Sequence, residues 1–429
     1  MKINADRALV IHPEYKSRVS TKKLNLGSFE ESLALSKSLG LKVISKQKIK
    51  INSIRAGYFF GSGTIKKISC IIKKLEITLI VINREISPIQ QRNLEKIWNT
   101  KLIDRTHLIL EIFADRAATR EGKLQVELAS LSYQRTRLVR SWTHLERQRG
   151  SLGFIGGPGE TQIESDRRAI DKAIIRIKKQ LEKVKKTRSL QRVSRKKVPY
   201  PIVALVGYTN AGKSTLFNLI TDSNVYAQDR LFATLDPKMR VLELPLKSKV
   251  IFSDTVGFIS NLPTELIAAF RATLEEVLDA DLIIHVRDIS HNNSEDQKLD
   301  VLNILNELGI NKFKIDNMIE LANKTDLLDG EEFEKLKNIT KRSNSVFPIS
   351  SKNNDGIKVF LERVEEKLSQ EFLTETLRLS FDKPNYRAKL YDISIVESEK
   401  LCEEGYEISV RWSEKRRGEF FHYLNSEKI

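Results

Sequence analysis

A chain of 429 residues is too long for one ordinary hydrophobic core, and at roughly 100–200 residues per domain it holds about two to four. Hydrophobic residues make up 40% and charged residues 30%, a balance too apolar for a disordered chain. The formal net charge of +17 exceeds what solubility requires and favours a polyanionic partner, while no run approaches the roughly 18 apolar residues of a membrane-spanning helix.

The opening MKINADRALVIHPEY lacks a secretory apolar stretch, so a cytoplasmic location is expected and membrane association is not. From Arg7 to about Ala118, short β-branched runs (ALVI, LKVI, ITLIVI) alternate with helix-like stretches such as Phe29–Leu39 and Pro88–Trp98. That alternation predicts a small α/β domain with a largely parallel sheet over residues 1–120. Gly61 and Gly63 in GSGT lack the Lys-Ser and the third glycine of a phosphate loop and read as a strand-to-helix turn. Cys70 and Cys402 fall in different predicted domains without CxxC spacing, which argues against a disulfide framework or a zinc site.

Strand signals vanish over residues 121–198, where two long helical stretches flank SLGFIGGPGETQ. Gly157-Pro158-Gly159 is expected to break the helix, giving a helical hairpin. Between Arg167 and Lys197 the second arm carries fourteen Lys or Arg against two acids, Asp171 and Glu182. Its apolar residues Ile170, Ile174, Ile175, Ile177, Leu181 and Val184 recur close to helical spacing, so one face packs while the rest is cationic. A solvated helix normally mixes both signs, so this purity points to a polyanion.

Pro199 and Pro201 mark the start of a third domain, 199–370, with alternating strands and helices. Gly207-Tyr208-Thr209-Asn210-Ala211-Gly212-Lys213-Ser214 matches GxxxxGKS between a buried-looking strand and a helix. Phosphates need close backbone N–H groups, which the loop glycines permit. Lys213 then reaches the β- and γ-phosphates and Ser214 ligates Mg²⁺. Asp254-Thr255-Val256-Gly257 follows a strand, where a carboxylate assists Mg²⁺ and a glycine N–H meets the γ-phosphate. Asn323-Lys324-Thr325-Asp326 selects guanine, because Asp326 accepts from the N1–H and amino donors that adenine lacks. Ser350-Ser351-Lys352 suits a loop closing over the base. The last segment, 371–429, reads as a small α+β domain with strand-like RLSF, AKLYDISIV and YEISVRW around a helical ESEKLCEEG. The predicted fold class is therefore α/β: a P-loop GTPase domain with a mainly parallel sheet, preceded by an α/β domain and a hairpin, followed by a small α+β domain.

Beyond these motifs the chain resembles the HflX family of the translation-factor-related GTPases. The resemblance rests on Arg105–Gly150, GPGETQIESDRR (Gly157–Arg168), LFATLDP (Leu231–Pro237), DTVGFI (Asp254–Ile259) and LPTELIAAFRATLEE (Leu262–Glu276). It implies a switch segment Phe232-Ala233-Thr234-Leu235-Asp236, with Thr234 completing Mg²⁺ coordination alongside Ser214 and Asp254. It also implies a monomeric GTPase that binds GTP and GDP, associates with ribosomal RNA of the large subunit and dissociates ribosomes. Lys213, Thr234 and Asn210 are the candidate catalytic residues. Asn210 resembles the asparagine of potassium-activated GTPases, which makes K⁺ a candidate cofactor beside Mg²⁺. Phe258 stands where many GTPases carry a water-orienting Gln, which predicts slow intrinsic hydrolysis. The family usually has Arg before GPGE, where this chain has Gly156, and small hydroxyl residues where it has Lys238-Met239. The competing expectation is a GTP-dependent switch for a protein or membrane partner that never engages RNA.

Overall fold

The computed structural model describes residues 6–15, 29–148, 158–195, 200–222, 232, 237–260, 277–342, 345–382 and 384–426. Its first sheet contains β1 (Arg7–Tyr15), β2 (Lys42–Ile51), β3 (Leu79–Ile82) and β4 (Lys101–Asp104), all parallel in the order β2-β1-β3-β4. Both faces are covered at the centre of the sheet, which is why ALVI of β1 and LIVI of β3 are unbroken apolar runs, whereas the edge strand β2 alternates with exposed lysines. Ala8 and Val10 pack towards α1 (Phe29–Ser38) and α4 (Arg105–Arg116), and Leu9 and Ile11 towards α2 (Ser62–Leu75) and α3 (Pro88–Trp98). Helix α3 starts where it does because Ser87 and Gln90 form a capping box and Pro88 lacks the N–H that would be orphaned there.

The hairpin consists of α5 (Arg120–Gln148) and α6 (Pro158–Arg195). Here one expectation needs correcting. Pro158 and Gly159 do not interrupt the second arm; they begin it, because a proline in the first turn forfeits no helical hydrogen bond. Gly156 and Gly157 lie outside the described residues. Ile177 and Leu181 of α6 are buried against Leu124, Leu128 and Leu131 of α5, as the apolar spacing anticipates, but Ile175, read as part of the same face, is 66% exposed because it points away from α5.

The second sheet has the order β10-β9-β8-β5-β7-β6. Its strands are β5 (Ile202–Val206), β6 (Lys238–Glu243), β7 (Lys249–Asp254), β8 (Leu282–Asp288), β9 (Ile319–Asn323) and β10 (Val346–Pro348), parallel except for β6 against β7. Among its helices are α7 (Lys213–Thr221), α8 (Ser294–Glu307), α9 (Gly330–Arg342) and α10 (Ile357–Glu371). This is the P-loop GTPase fold, and the carboxyl ends of β5, β7 and β9 open into the phosphate loop, DTVG and NKTD. One continuous buried cluster joins the first two sheets, since Leu108, Ile109 and Phe113 share it with Val206, Phe232, Phe258 and Ile259.

The last segment is a three-stranded antiparallel sheet, β11 (Phe372–Ser380), β12 (Ile395–Cys402) and β13 (Gly405–Ser413) in the order β11-β13-β12, with α11 (Pro384–Ile393) and α12 (Glu414–Ser426). Two of its elements exchange the roles read from the sequence. AKLYDI is helical, because Tyr386 and Leu390 are buried one turn apart on one face of α11. ESEKLC is a strand, because pairing with β13 along its length outweighs its Glu-rich composition.

Candidate nucleotide-binding site

Strand β5 turns into its loop at Gly207, whose φ of 152° brings the backbone against β8. A Cβ at this position would stand 2.1 Å from the Val286 carbonyl oxygen, so no side chain fits. At the far end Gly212 has φ 95°, and a Cβ there would meet Asn323 Nδ2 at 2.2 Å. Between them Asn210 also adopts a left-handed φ of 61°, which asparagine tolerates better than most residues. The loop thus turns its backbone inward at the N-terminus of α7, an arrangement suited to an anion.

Lys213 is 6% exposed and donates to the carbonyl oxygens of Gly207 at 3.0 Å and Tyr208 at 2.8 Å. Burial pulls its ammonium down to about 8, opposed by the carboxylate of Asp254. Gly257 sits so close that a Cβ would lie 3.1 Å from Lys213 Nζ. The Ser214 hydroxyl donates to Asp254 Oδ2 at 2.7 Å. Hydroxyl and carboxylate form a pair of hard oxygen donors that fits Mg²⁺, whose remaining ligands must come from phosphate and water. Thr255 donates to the Leu205 carbonyl at 2.6 Å, and Val256 is buried in the shared core. Phe258 is 2% exposed and locked to the loop, its N–H donating to Gly207 O at 3.0 Å and its carbonyl accepting from Thr209 at 2.8 Å. Its ring therefore points into the core.

On the base side, Asn323 ties the two halves together. Its Nδ2 donates to Ala211 O at 2.8 Å, while its Oδ1 accepts from Ser351 N and Ser351 Oγ, both at 3.0 Å. Asp326 accepts from Ser350 Oγ at 2.7 Å, and Thr325 donates to Ile349 O at 3.0 Å. Lys324, with φ 65°, pairs with Asp288 at 2.7 Å, and Lys352 is exposed. The four motifs are thus brought to one end of one sheet. Ala233, Thr234, Leu235 and Asp236 lie outside the described residues, whereas Phe232 packs edge-on against Phe113 with centroids 4.6 Å apart. Sequence reasoning gave no role to Asp288, Glu31, Arg105 or Ser260. Asp288 carried a signal, a carboxylate ending a buried strand. The other three meet across the domain boundary at Tyr208, and no local spacing could have announced them.

Three family profiles match: "GTP-binding GTPase N-terminal" over residues 27–114, "GTP-binding GTPase Middle Region" over 116–195, and "50S ribosome-binding GTPase" over 202–324. The chain is 46% identical over 369 residues to GTPase HflX of Magnetococcus marinus, covering 86% of this chain and 84% of that one. It is 40% identical over 400 residues to GTPase HflX of Escherichia coli, covering 93% and 92%. A putative GTP-binding protein 6 of Xenopus laevis is 35% identical over 409 residues, covering 94% and 76%.

The lowered Lys213 pKa has a measurable consequence. Phosphate charge favours the ammonium and raises its pKa above 8, so above that pH binding must take up a proton. GDP affinity should be flat below about pH 8 and then weaken by up to about tenfold per pH unit. Titration of a fluorescent GDP analogue from roughly pH 7 to 9 checks this, and Lys213→Ala should bind more weakly without that slope.

Proposed function

This chain belongs to the HflX family of GTPases, and from that premise we propose that it binds the large ribosomal subunit through its helical hairpin and acts there in ribosome dissociation, rescue or biogenesis. It binds GTP and GDP and hydrolyses GTP to GDP and phosphate. The observation that carries the ribosomal reading is the division of α6 into two surfaces. Ile177 and Leu181 are buried against α5, whereas Lys172, Arg176, Lys178, Lys179, Lys183 and Lys186 are exposed. Spanning 38 residues at about 1.5 Å each, α6 is roughly 57 Å long and carries this cationic surface far from the nucleotide. Phosphate backbones are recognised by such repeated point charges.

A protein or membrane partner without RNA is less well supported. Among the described residues no helix is long and apolar enough to cross a membrane, and the exposed side of α6 is cationic rather than apolar.

Within the site, the backbone from Gly207 to Ser214 cradles the phosphates and Lys213 neutralises the β- and γ-groups. Ser214, Asp254 and Thr234 would hold Mg²⁺, which would supply positive charge to neutralise the transferred phosphoryl group. Asp326 reads guanine, braced by Ser350, while Asn323 and Ser351 fix the distance between base and phosphate loop. Asn210 would hold K⁺, which would supply a further positive charge to the phosphates. With the Phe258 ring turned into the core, no glutamine stands at that position to orient water, so intrinsic turnover is slow and rises on the ribosome.

Asp326→Asn should lose roughly 10²–10⁴ in GDP affinity and gain for xanthosine diphosphate, whose 2-oxo group accepts from the new amide. Competitive titration decides, and equal GDP affinity would remove the role. If Asn210 holds K⁺, turnover in KCl should exceed that in NaCl at equal ionic strength, and equal rates would rule it out. Replacing Lys178, Lys179, Lys183 and Lys186 with Gln should weaken large-subunit binding and flatten its salt dependence by up to about one unit per lost contact. GDP affinity should stay the same. Undiminished subunit binding with an unchanged salt slope would overturn the hairpin's assignment.

A further inference from the structure

Two consecutive residues where β4 becomes α4 serve different partners. Asp104 caps α4, accepting the His107 N–H at 2.9 Å. Its fully buried carboxylate also takes the Tyr133 hydroxyl, at 2.8 and 2.9 Å from its two oxygens, and the Arg137 guanidinium at 3.0 Å. Tyr133 and Arg137 stand one turn apart midway along α5, so this carboxylate ties that helix to the N-terminal domain. Arg137 also reaches Gln91 of α3.

Arg105 is equally buried and turns to the nucleotide domain. It donates to Asn83 Oδ1 at 2.8 Å, to Glu31 Oε2 at 3.1 Å and, across the boundary, to the Ser260 carbonyl at 3.1 Å. Ser260 lies three residues beyond Gly257, in the loop leaving β7. Its N–H donates to the Tyr208 hydroxyl at 2.9 Å, and that hydroxyl lies 2.5 Å from Glu31 Oε1. Phosphate loop, DTVG loop and N-terminal domain therefore meet in one ring of hydrogen bonds. Burial and the neighbouring carboxylates, Glu31 for Tyr208 and Asp104 for Tyr133, hold both phenols above their ordinary range, so both remain donors.

We infer that Arg105 is a positioning residue that fixes the loop after Gly257, and that the Asp104–Arg105 junction carries a displacement of this loop into the hairpin helix α5. A buried guanidinium abandoned by its acceptors is strongly disfavoured, so Arg105 moves with the groups that hold it. Its neighbour is bound just as firmly to Tyr133 and Arg137, and the strand-to-helix junction between them has no soft linker. Closely packed interfaces of this kind exchange between discrete arrangements rather than sliding. Static adhesion between domains, the alternative, predicts loss of stability and nothing that depends on which nucleotide is bound.

Hydrogen exchange on the full chain, with GDP and then with a non-hydrolysable GTP analogue, tests this without ribosomes, so its failure and that of the ribosomal reading are separable. Amides of α5 between Glu127 and Arg137 should exchange at rates differing by about threefold or more between the two nucleotides. Arg105→Gln should abolish that difference and shift the ratio of analogue to GDP affinity by about fivefold or more, with Arg105→Lys restoring part of both. Tyr133→Phe, which removes one of the two α5 ties to Asp104 and leaves the Arg105 side untouched, should reduce the α5 difference while leaving the affinity ratio in place. Identical α5 exchange with both nucleotides in the parent protein would overturn the inference. So would a difference that survives Arg105→Gln, or an Arg105→Gln variant that changes only the melting temperature. If Arg105→Gln fails to fold, Arg105→Lys and Tyr133→Phe carry the same comparison.

Discussion

The Val286 carbonyl oxygen sets the shape of the nucleotide site. It occupies the place where any side chain at position 207 would stand, so β5 can leave the sheet only through a glycine pressed against its neighbour. That approach brings the phosphate loop beneath β8 and within reach of β9, whose Asn323 then fills the corresponding space at Gly212. The two glycines are the places where neighbouring strands grip the loop. Lys213 follows from the same constraint. Held in a loop closed on both sides, its ammonium is almost wholly removed from water and donates to the carbonyl oxygens of Gly207 and Tyr208, with the Asp254 carboxylate nearby. Low local dielectric makes it costly there, and makes its attraction for a phosphate correspondingly strong.

The second organising feature is that the nucleotide domain owns the core on one side of its sheet and shares the core on the other. Phe258 and Ile259, immediately after the DTVG glycine, lie in the same buried cluster as Leu108, Ile109 and Phe113 of the N-terminal domain. Phe232, two residues before Thr234, is gripped by the Phe113 ring in a left-handed conformation with φ 56°. A GTPase loop that closes on solvent has only hydration to reorganise. Here movement of either loop disturbs close packing, where small volume changes carry an energetic cost. The buried polar ring around Tyr208 adds direction to that cost, because charged groups such as Arg105 and Glu31 tolerate few alternative arrangements.

What could be read from the sequence follows the range of the interactions involved. The phosphate loop, DTVG and NKTD are each confined to a few residues at a strand end, so their spacing records their geometry directly, and the guanine-binding candidates converge as that spacing implies. The parallel sheets were legible because double-sided burial leaves continuous apolar runs such as LIVI at Leu79–Ile82. The last domain was misread where composition and pairing disagreed: Glu-rich β12 is a strand because β13, joined to it through Glu403-Glu404, pairs along its length, which the composition of the segment by itself does not announce. Likewise Arg105 and Ser260 are separated by 155 positions in the chain, and neither stands in a motif whose spacing fixes its partner. Long-range polar contacts between domains leave no periodicity, and for that reason the site was legible while its attachment to the rest of the molecule was not.

The hairpin is held by ties of unequal strength, and their order bears on how it could meet a large partner. Midway along α5, the Asp104 carboxylate with Tyr133 and Arg137 is a buried network, and removing one member of such a pair typically costs about 3–5 kcal/mol. On another side of the helix, among the described residues, an apolar seam buries Leu124, Ile177 and Leu181. Between Tyr133 and Arg137 in the chain, Arg135 pairs with Asp171 at 2.7 Å with both side chains more than a third exposed, an interaction worth about 1 kcal/mol or less. These ties share one stretch of α5, from Leu124 to Arg137, and act on different sides of it. The buried charge holds α5 to the N-terminal domain, whereas the seam and the surface pair hold α6 to α5, so of these contacts the weaker ones carry the cationic arm.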